Sequence, residues 1–334
     1  MLTLLTILFL ALLILSHEFG HFLAAKILKI RVNEFGVGFP PKLFSKKMGG
    51  TEYSLNALPF GGFVRIYGED TIDLSAIEDP EQSFHFQGFL KKILVVSAGV
   101  LTNILIGWVA FSIVLGFGIS GGIIVGSVAD GSPAFLAGIE AGETIEGFGS
   151  ADDFLAYVDA NRGQPILIND KTIVPRTEVP EGEGPLGISI LPTGIEPQSF
   201  PQNIWSGLKM TFETLGLIFT ALGSFLFNIL TGNFGAVDQI SGPIGVFNIV
   251  RDASQMGSVY FIQLLGLISL NLAALNTIPF PALDGGRFMF LALQKLFGDK
   301  MLNRRLEVVV NVVGFLFLMA LMIAVTIRDI MNLQ

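Results

Sequence analysis

The run His17-Glu18-Phe19-Gly20-His21 combines two imidazoles and a carboxylate at a spacing typical of zinc hydrolases. Because residues four apart share one face of a helix, both imidazoles can reach a single metal ion. Glu18 can then act as the general base toward a water molecule at that ion. The run therefore predicts a metal-dependent hydrolytic site with His17 and His21 as two of its ligands.

A catalytic zinc site uses three protein ligands, and the sequence offers two candidates for the third. His85 is the only other histidine, but its position in a loop favours an ordinary interfacial role. Asp284 follows Pro279 and Pro281, which break any helix before it. If this part of the chain lies inside a membrane, irregular backbone is tolerated there only beside protein or a water-filled cavity. Taken alone, Asp284 is therefore either a ligand or a turn residue at the membrane edge.

The composition indicates where such a site would lie. Of the 334 residues, 51% are hydrophobic and only 14% are charged, whereas soluble domains carry about 25% charged residues. This predicts a polytopic membrane protein embedded in a lipid bilayer. The net charge of −8 argues against a nucleic-acid partner. The absence of cysteine excludes disulfides and thiolate metal ligands.

Several apolar segments are long enough to cross about 30 Å of hydrocarbon as helices. Four of them are predicted to be transmembrane helices: Leu2–Leu28, Ile93–Ile119, Tyr260–Leu283 and Val308–Ile327. A fifth segment, Trp205–Leu230, has small and polar residues at intervals and is interpreted as an interfacial or partly embedded helix.

The distribution of basic residues predicts the orientation of these helices. Nine lysines and arginines lie between Lys26 and Lys92, whereas three lie between Ser120 and Asn203. The first loop is therefore expected in the cytoplasm, with both termini outside. His17 then lies about 24 Å along the first helix, near the cytoplasmic side. If the fifth segment does not cross, Asp284 reaches the same depth, and this agreement favours Asp284 as the third ligand.

The middle of the chain reads as a small α+β domain inserted between membrane segments. Four short β-rich runs are expected to flank two helices. The strands are expected at Ile123–Val128, Ile166–Ile168, Lys171–Val174 and Gly187–Leu191, and the helices at Ser132–Gly138 and Asp152–Asn161.

Together these motifs resemble the site-2 protease family of intramembrane zinc metalloproteases, in the bacterial branch with a PDZ domain. The two signatures are the HExxH motif at 17–21 and the Leu-Asp-Gly-Gly motif at 283–286. Supporting matches are Gly36–Pro40, Pro59–Glu69, Ala98-Gly99 with Asn103, and Ser241–Gly245. The resemblance implies Zn²⁺ bound by His17, His21 and Asp284, water activation by Glu18, and substrate binding by Asn276.

The resemblance also implies a fold: a polytopic α-helical membrane protein with four transmembrane helices and one extra interfacial helix. It further implies an inserted PDZ-like domain and a cytoplasmic β-hairpin, expected over Tyr53–Tyr67 with its turn at Pro59–Gly62. The expected domains are residues 1–120, 121–195, 196–258 and 259–334. The expected location is the inner (plasma) membrane, and the expected partners are single-span membrane-protein substrates.

Two features depart from the family pattern. Val100 replaces the proline that usually follows Ala-Gly, and the segment Ile139–Ile145 is a degenerate version of the PDZ signature. A non-catalytic, zinc-bearing scaffold that presents the PDZ-like domain is the main alternative, although it does not need Glu18. A transporter is a weaker alternative because four spans without an inverted repeat are atypical of transporters.

Overall fold

A computed structural model describes most of the chain: residues 2–69, 71, 73–119, 122–180, 184–192, 194–233, 242, 245–246, 250, 258–298 and 304–331. The chain divides into two compact units, which are residues 1–112 with 204–334, and residues 113–203. The second unit therefore extends beyond the expected domain, residues 121–195, at both ends. Backbone bonds between Ile119 and Ile195, and from Gln198 to Leu115, account for the difference.

Helices form most of the described secondary structure, and the strands fall into two regions of the chain. The helices are α1 (Leu2–Ile27), α2 (Phe89–Phe117), α3 (Pro133–Leu136), α4 (Ala151–Ala160), α5 (Gln202–Leu230), α6 (Ser258–Thr277), α7 (Asp284–Phe297) and α8 (Arg304–Met331). The strands are β1 (Val32–Met48), β2 (Thr51–Ile66), β3 (Ile123–Val128), β4 (Thr144–Ile145), β5 (Ile166–Ile168), β6 (Lys171–Ile173) and β7 (Ile188–Pro192). Short 3₁₀ turns occur at Leu74–Ala76 and Pro80–Gln82.

Four of the described helices are long and apolar enough to cross a membrane: Phe89–Phe117, Gln202–Leu230, Ser258–Thr277 and Arg305–Met331. α1 has 26 residues, which corresponds to about 39 Å and suits the predicted first span. These helices are those of a polytopic membrane protein.

Helix α6 packs antiparallel against α2. Ser269 donates a hydrogen bond to the carbonyl of Asn103 at 2.9 Å, and Gly266 lies against the ring of Phe111. Small residues at such crossings let two helix backbones approach closely. Helix α1 is also antiparallel to α2, because His17 lies beside Asn103 and His21 beside Val95. Helices α1 and α6 therefore run in the same direction, and the residues that follow α6 can reach the later turns of α1.

Helix α5 also packs antiparallel along α2, in the same direction as α6. Gly207, near the start of α5, lies against Ser112, whereas Phe219, further along α5, lines a cavity with Leu101 and Ile104. Further along, Ile218 and Leu222 join the apolar cluster that surrounds Phe111 and Leu270. This helix was predicted to be interfacial or partly embedded; by length and composition it is one of the four described helices that could cross a membrane.

Strands β1 and β2 form an antiparallel ribbon whose connecting turn is Gly49-Gly50. Both glycines have positive φ, 56° and 78°, as a two-residue hairpin turn requires. The predicted hairpin over Tyr53–Tyr67 differs in one respect: its two arms do not pair with each other. Val37 pairs with both Leu55 and Gly62, so the chain reverses near the predicted Pro59–Gly62 around the first part of β1, and the last part of β2 forms an edge.

The second unit has the α+β character predicted for the middle of the chain. Strands β4, β3 and β7 form one sheet in that order, and β5 and β6 form a separate hairpin. Helices α3 and α4 begin at capping serines, Ser132 and Ser150, whose hydroxyls accept backbone N–H groups. The core consists of buried apolar residues of this unit: Ile123, Val125, Ala134, Ile139, Ile145, Phe154, Val158, Ile166, Ile168, Ile173 and Leu186.

The motif Ser241–Gly245 is described only at Gly242 and Gly245; the rest lies outside the described residues. The backbone N–H groups of both glycines donate to the carboxylate of Asp329 in α8, at 3.3 and 3.0 Å. The sequence left open whether this motif is a bend beside the active site or an interfacial loop. The two hydrogen bonds connect it to the last turns of α8.

Candidate metal centre and active site

The predicted histidine pair lies where α1 and α2 approach most closely. Gly20 allows this approach, because a Cβ there would collide with Thr102 and with the carbonyl of Ala98. On the facing helix, Gly99 lies directly against the imidazoles of His17 and His21. The sequence therefore places a glycine on each helix at the point where a larger residue would separate the two backbones.

Three potential metal-ligand atoms converge at this point. Oδ2 of Asp284 lies 3.0 Å from Nε2 of His17 and 3.1 Å from Nε2 of His21. The two Nε2 atoms are 3.2 Å apart. Both imidazoles are buried. In the described part of the chain, His17, His21 and Asp284 form the group of residues that could together hold a metal ion.

The hydrogen bonds of the cluster test whether a zinc ion would fit. Nδ1 of His21 lies 2.8 Å from the carbonyl of Val95, so the ring proton is on Nδ1 and Nε2 presents a lone pair. Oδ2 of Asp284 is buried and accepts no hydrogen bond from any described residue. Electron-rich atoms packed this closely need positive charge between them, which a proton or a metal ion supplies. Two imidazoles and one carboxylate form a ligand set that zinc uses in catalytic sites.

The backbone before Asp284 explains how this carboxylate reaches the histidines. α6 ends at Thr277, six residues before the predicted end at Leu283, because Pro279 and Pro281 cannot continue it. Asp284 is the first residue of α7. A side chain at Gly285 would collide with the carbonyls of Thr277 and Ile278, so the glycines of this motif permit the close return of the chain. The loop is also held from α8, where the side-chain oxygen of Asn311 accepts the N–H of Ala282 at 3.0 Å.

Glu18 and Asn276 line the same cavity of about 350 Å³ as the three clustered residues. The N–H of Val64, in the edge part of β2, donates to Oε2 of Glu18 at 3.1 Å. The ribbon can approach α1 this closely because Gly62 has no side chain; a Cβ there would lie 3.0 Å from Cδ1 of Leu15. The strand edge, the carboxylate and the clustered ligands therefore share one cavity.

The alternative third ligand, His85, is not part of this cluster. Its ring packs edge-to-face against Phe86 at 5.1 Å, and it lines a neighbouring cavity. The sequence did not single out a half-buried ion pair beside the site, in which Nη1 of Arg287 lies 2.7 Å from Oε1 of the buried Glu69. Arg287 is one helical turn beyond Asp284, and this spacing could have indicated that the two side chains lie on one face of α7.

A prediction follows from the position of Gly99. A methyl group at this position would lie 2.8 Å from Nε2 of His17 and closer still to Nε2 of His21. The Gly99→Ala variant should therefore displace the imidazoles and lower zinc affinity about 10- to 100-fold, since overpacking a tight site costs about 1–3 kcal/mol. Competition with a fluorescent chelator measures this change. Gly223→Ala in α5 is the matched control, because nothing lies within 4 Å of its Cβ; equal zinc affinity in both variants contradicts the geometry.

Comparison with known proteins identifies relatives along almost the whole chain. A predicted zinc metalloprotease of Clostridium perfringens is 34% identical over 95% of this chain and 95% of its own length. A second, from Clostridium acetobutylicum, is 35% identical over 95% of this chain and 94% of its own length. Zinc metalloprotease RasP of Geobacillus kaustophilus is 27% identical over 95% of each chain.

The model of one protein family, Peptidase family M50, matches residues 5–321. This range contains both the histidine pair and the aspartate that meet in the cluster. The resemblance to the site-2 proteases is thereby confirmed. The chain belongs to peptidase family M50, the zinc-dependent intramembrane proteases.

Proposed function

We propose that this protease cuts single-span membrane proteins in or near their transmembrane segments, with His17, His21 and Asp284 holding the zinc ion. The observation that carries this proposal is the convergence of three ligand atoms within about 3 Å of one another, from chain positions nearly 270 residues apart. The neighbouring carboxylate of Glu18 is not one of the three and is available as a base. A non-catalytic scaffold has no need for such a carboxylate.

The chemistry assigned to each residue follows from its position in the cavity. Zinc, when bound, supplies the positive charge that lowers the pKa of a water molecule and polarises the scissile carbonyl. Glu18 takes the proton of the attacking water and delivers it to the leaving amine. The hydrogen bond from Val64 holds the Glu18 carboxylate in place. Asn276 lines the cavity with an amide that can donate to the substrate backbone or to the developing oxyanion.

The ribbon edge is proposed to present the substrate. A transmembrane helix must unwind before it can be cut, which leaves backbone groups without partners in hydrocarbon at several kcal/mol each. Addition of the unwound segment to the edge part of β2 would offset much of this cost through strand pairing. Support for this role comes from the approach of Val64 to Glu18, which puts the edge beside the general base.

The topology is also part of the proposal. The protein is assigned to the inner (plasma) membrane. Its basic first loop, which includes the β1–β2 hairpin, is assigned to the cytoplasmic side. Both termini and the middle domain, residues 121–195, are assigned to the outside. We propose that this domain is PDZ-like, from its resemblance at Ile139–Ile145 and its small α+β fold. The remaining divisions are residues 1–120, 196–258 and 259–334.

A cleavage assay tests the proposed function. The full chain in proteoliposomes is mixed with single-span membrane proteins labelled at both ends, carrying either large or trimmed outer domains. We expect a cut in or next to the span, its loss on addition of 1,10-phenanthroline, and its recovery with added zinc. Zinc-loaded protein that cleaves none of these substrates would instead favour the scaffold alternative.

A further inference from the structure

Asn103 is a fully buried amide in the middle of α2, and the proposed chemistry does not use it. The backbone carbonyl of Asn103 accepts a hydrogen bond from the hydroxyl of Ser269 in α6, which fixes the backbone of α2 at this position. Its side chain faces His17 of α1 and lines the site cavity. A polar side chain inside a membrane-spanning helix is costly and is retained where it has a partner or a function.

The two ends of this amide have different surroundings. Nδ2 of Asn103 lies 3.3 Å from Nδ1 of His17. Oδ1 is buried and has no hydrogen-bond partner among the described residues. The two ends of an amide are distinguished by their hydrogen-bond partners, since a 180° rotation of the group exchanges them with almost no change in shape. The rotated amide would give Oδ1 the position beside the imidazole.

The tautomer of His17 decides between the two orientations. If Nδ2–H donated to Nδ1, the proton of the neutral ring would be on Nε2, the atom that points at Asp284 and His21. That tautomer cannot bind a metal ion through Nε2. If Oδ1 faces the ring, Nδ1–H donates to it and Nε2 presents its lone pair to the cluster. His21 already has this arrangement, with Val95 as the acceptor 2.8 Å from its Nδ1.

We propose that Asn103 is a positioning residue whose side-chain oxygen accepts the Nδ1–H of His17 and so fixes the imidazole for zinc binding. This inference rests on the proposed zinc site. It assigns to α2, which supplies no zinc ligand, the acceptors for both histidines: the carbonyl of Val95 and the side chain of Asn103. Partners of this kind fix the tautomer and orientation of metal-binding histidines, and their loss typically costs 10- to 100-fold in affinity.

Two substitutions of opposite chemistry test the proposal through zinc affinity, measured by chelator competition on the full chain in detergent. Asn103→Leu removes the acceptor at similar volume and should weaken zinc binding about 10- to 100-fold. Asn103→Asp keeps an acceptor and cannot donate, so its affinity should stay within about threefold of the parent, well above the leucine variant. Asn271→Leu in α6 removes another amide from a span and is the matched control.

Parent affinity in Asn103→Leu would overturn the proposal. Equal weakening by leucine and aspartate would also overturn it, because it would show that the amide donates its N–H to His17. A purely structural role for Asn103 would lower the unfolding temperature of the zinc-free protein without a selective loss of zinc affinity. The His17→Ala variant separates this test from the underlying one: if it binds zinc as tightly as the parent, the proposed zinc site itself has failed.

NMR of the histidine side chains tests the same proposal without a measurement of zinc affinity. The chain has only three histidines, so a sample labelled with ¹⁵N-histidine gives a spectrum with three imidazoles. In the zinc-loaded parent, His17 and His21 should both show the Nδ1–H tautomer with a hydrogen-bonded proton. Asn103→Leu should change the His17 signal and leave that of His21 unaltered. A His17 ring with its proton on Nε2 in the parent would contradict the proposal.

Discussion

The Glu18→Gln variant should lose about 10²- to 10⁴-fold in cleavage rate, because an amide cannot take the proton of the attacking water. Zinc content should remain that of the parent. The Glu18 side chain is not one of the three clustered ligands, and the amide oxygen of glutamine can still accept the N–H of Val64, which lies 3.1 Å from Oε2. Cleavage rate and zinc stoichiometry, measured on the same purified sample, check both halves of this expectation.

The control for this variant is Glu81→Gln, which removes the same charge from an exposed position outside the site. It should cleave like the parent. A Glu18→Gln protein that cleaves at the parent rate would exclude Glu18 as the base. A protein that has lost both cleavage and zinc would indicate that Glu18 supports the metal site itself.

The Asp284→Ala variant should lose both zinc and activity. Oδ2 of Asp284 lies within 3.1 Å of both histidine nitrogens, and without it the cluster has two neutral ligands and no negative charge. Since loss of an outer partner alone costs 10- to 100-fold, we expect zinc affinity to fall by more than about 100-fold. Zinc content after dialysis against a weak chelator, with cleavage measured in parallel, gives the result.

Asp152→Ala is the matched control, because Asp152 also lies in the first turn of a helix but in the second unit. It should retain zinc and activity. If Asp284→Ala held zinc as tightly as this control, the third ligand would have to be another residue. His85→Ala would then be the next variant to examine, since His85 was the alternative candidate in the sequence.

The metal-site geometry could be expected from the sequence because each part has a strong local signal. The HExxH spacing fixes two imidazoles on one helix face, and the prolines before Asp284 mark where the helix must end. The strands β3 and β5 and the helices α3 and α4 were also expected within one or two residues. Each of these segments is short and periodic, and turn residues or capping serines mark its two ends.

The strand pairing of the ribbon could be predicted only in part. The predicted hairpin over Tyr53–Tyr67 omitted the first part of β1, which lies between its two arms, because such long-range pairing has no local signal. The tight two-residue turn is Gly49-Gly50, with positive φ at both residues. The depth argument, by which a crossing of the fifth segment would carry Asp284 to the other side of the membrane, stays a prediction. In the structure, α5 and α6 run in the same direction along α2, and Asp284 lies beside His17.

Other features of the site could not be read from sequence because they arise from contacts between distant residues. The resemblance singled out Ala98-Gly99 and Asn103, but nothing in the local pattern links Asn103 to His17, which is 86 residues away. The pairing of Arg287 with Glu69 spans 218 residues. Gly99 has no turn or cap to explain it, and only the packed helices show that it faces the imidazoles.

We propose that one zinc ion is bound jointly by residues from the two ends of the chain. X-ray absorption at the zinc edge of the loaded protein tests this most directly. We expect two imidazole nitrogens and carboxylate oxygen in the first shell at about 2.0–2.2 Å, with one imidazole lost in His21→Ala. A first shell without imidazole scattering, or one unchanged in both His21→Ala and Asp284→Ala, would contradict the account.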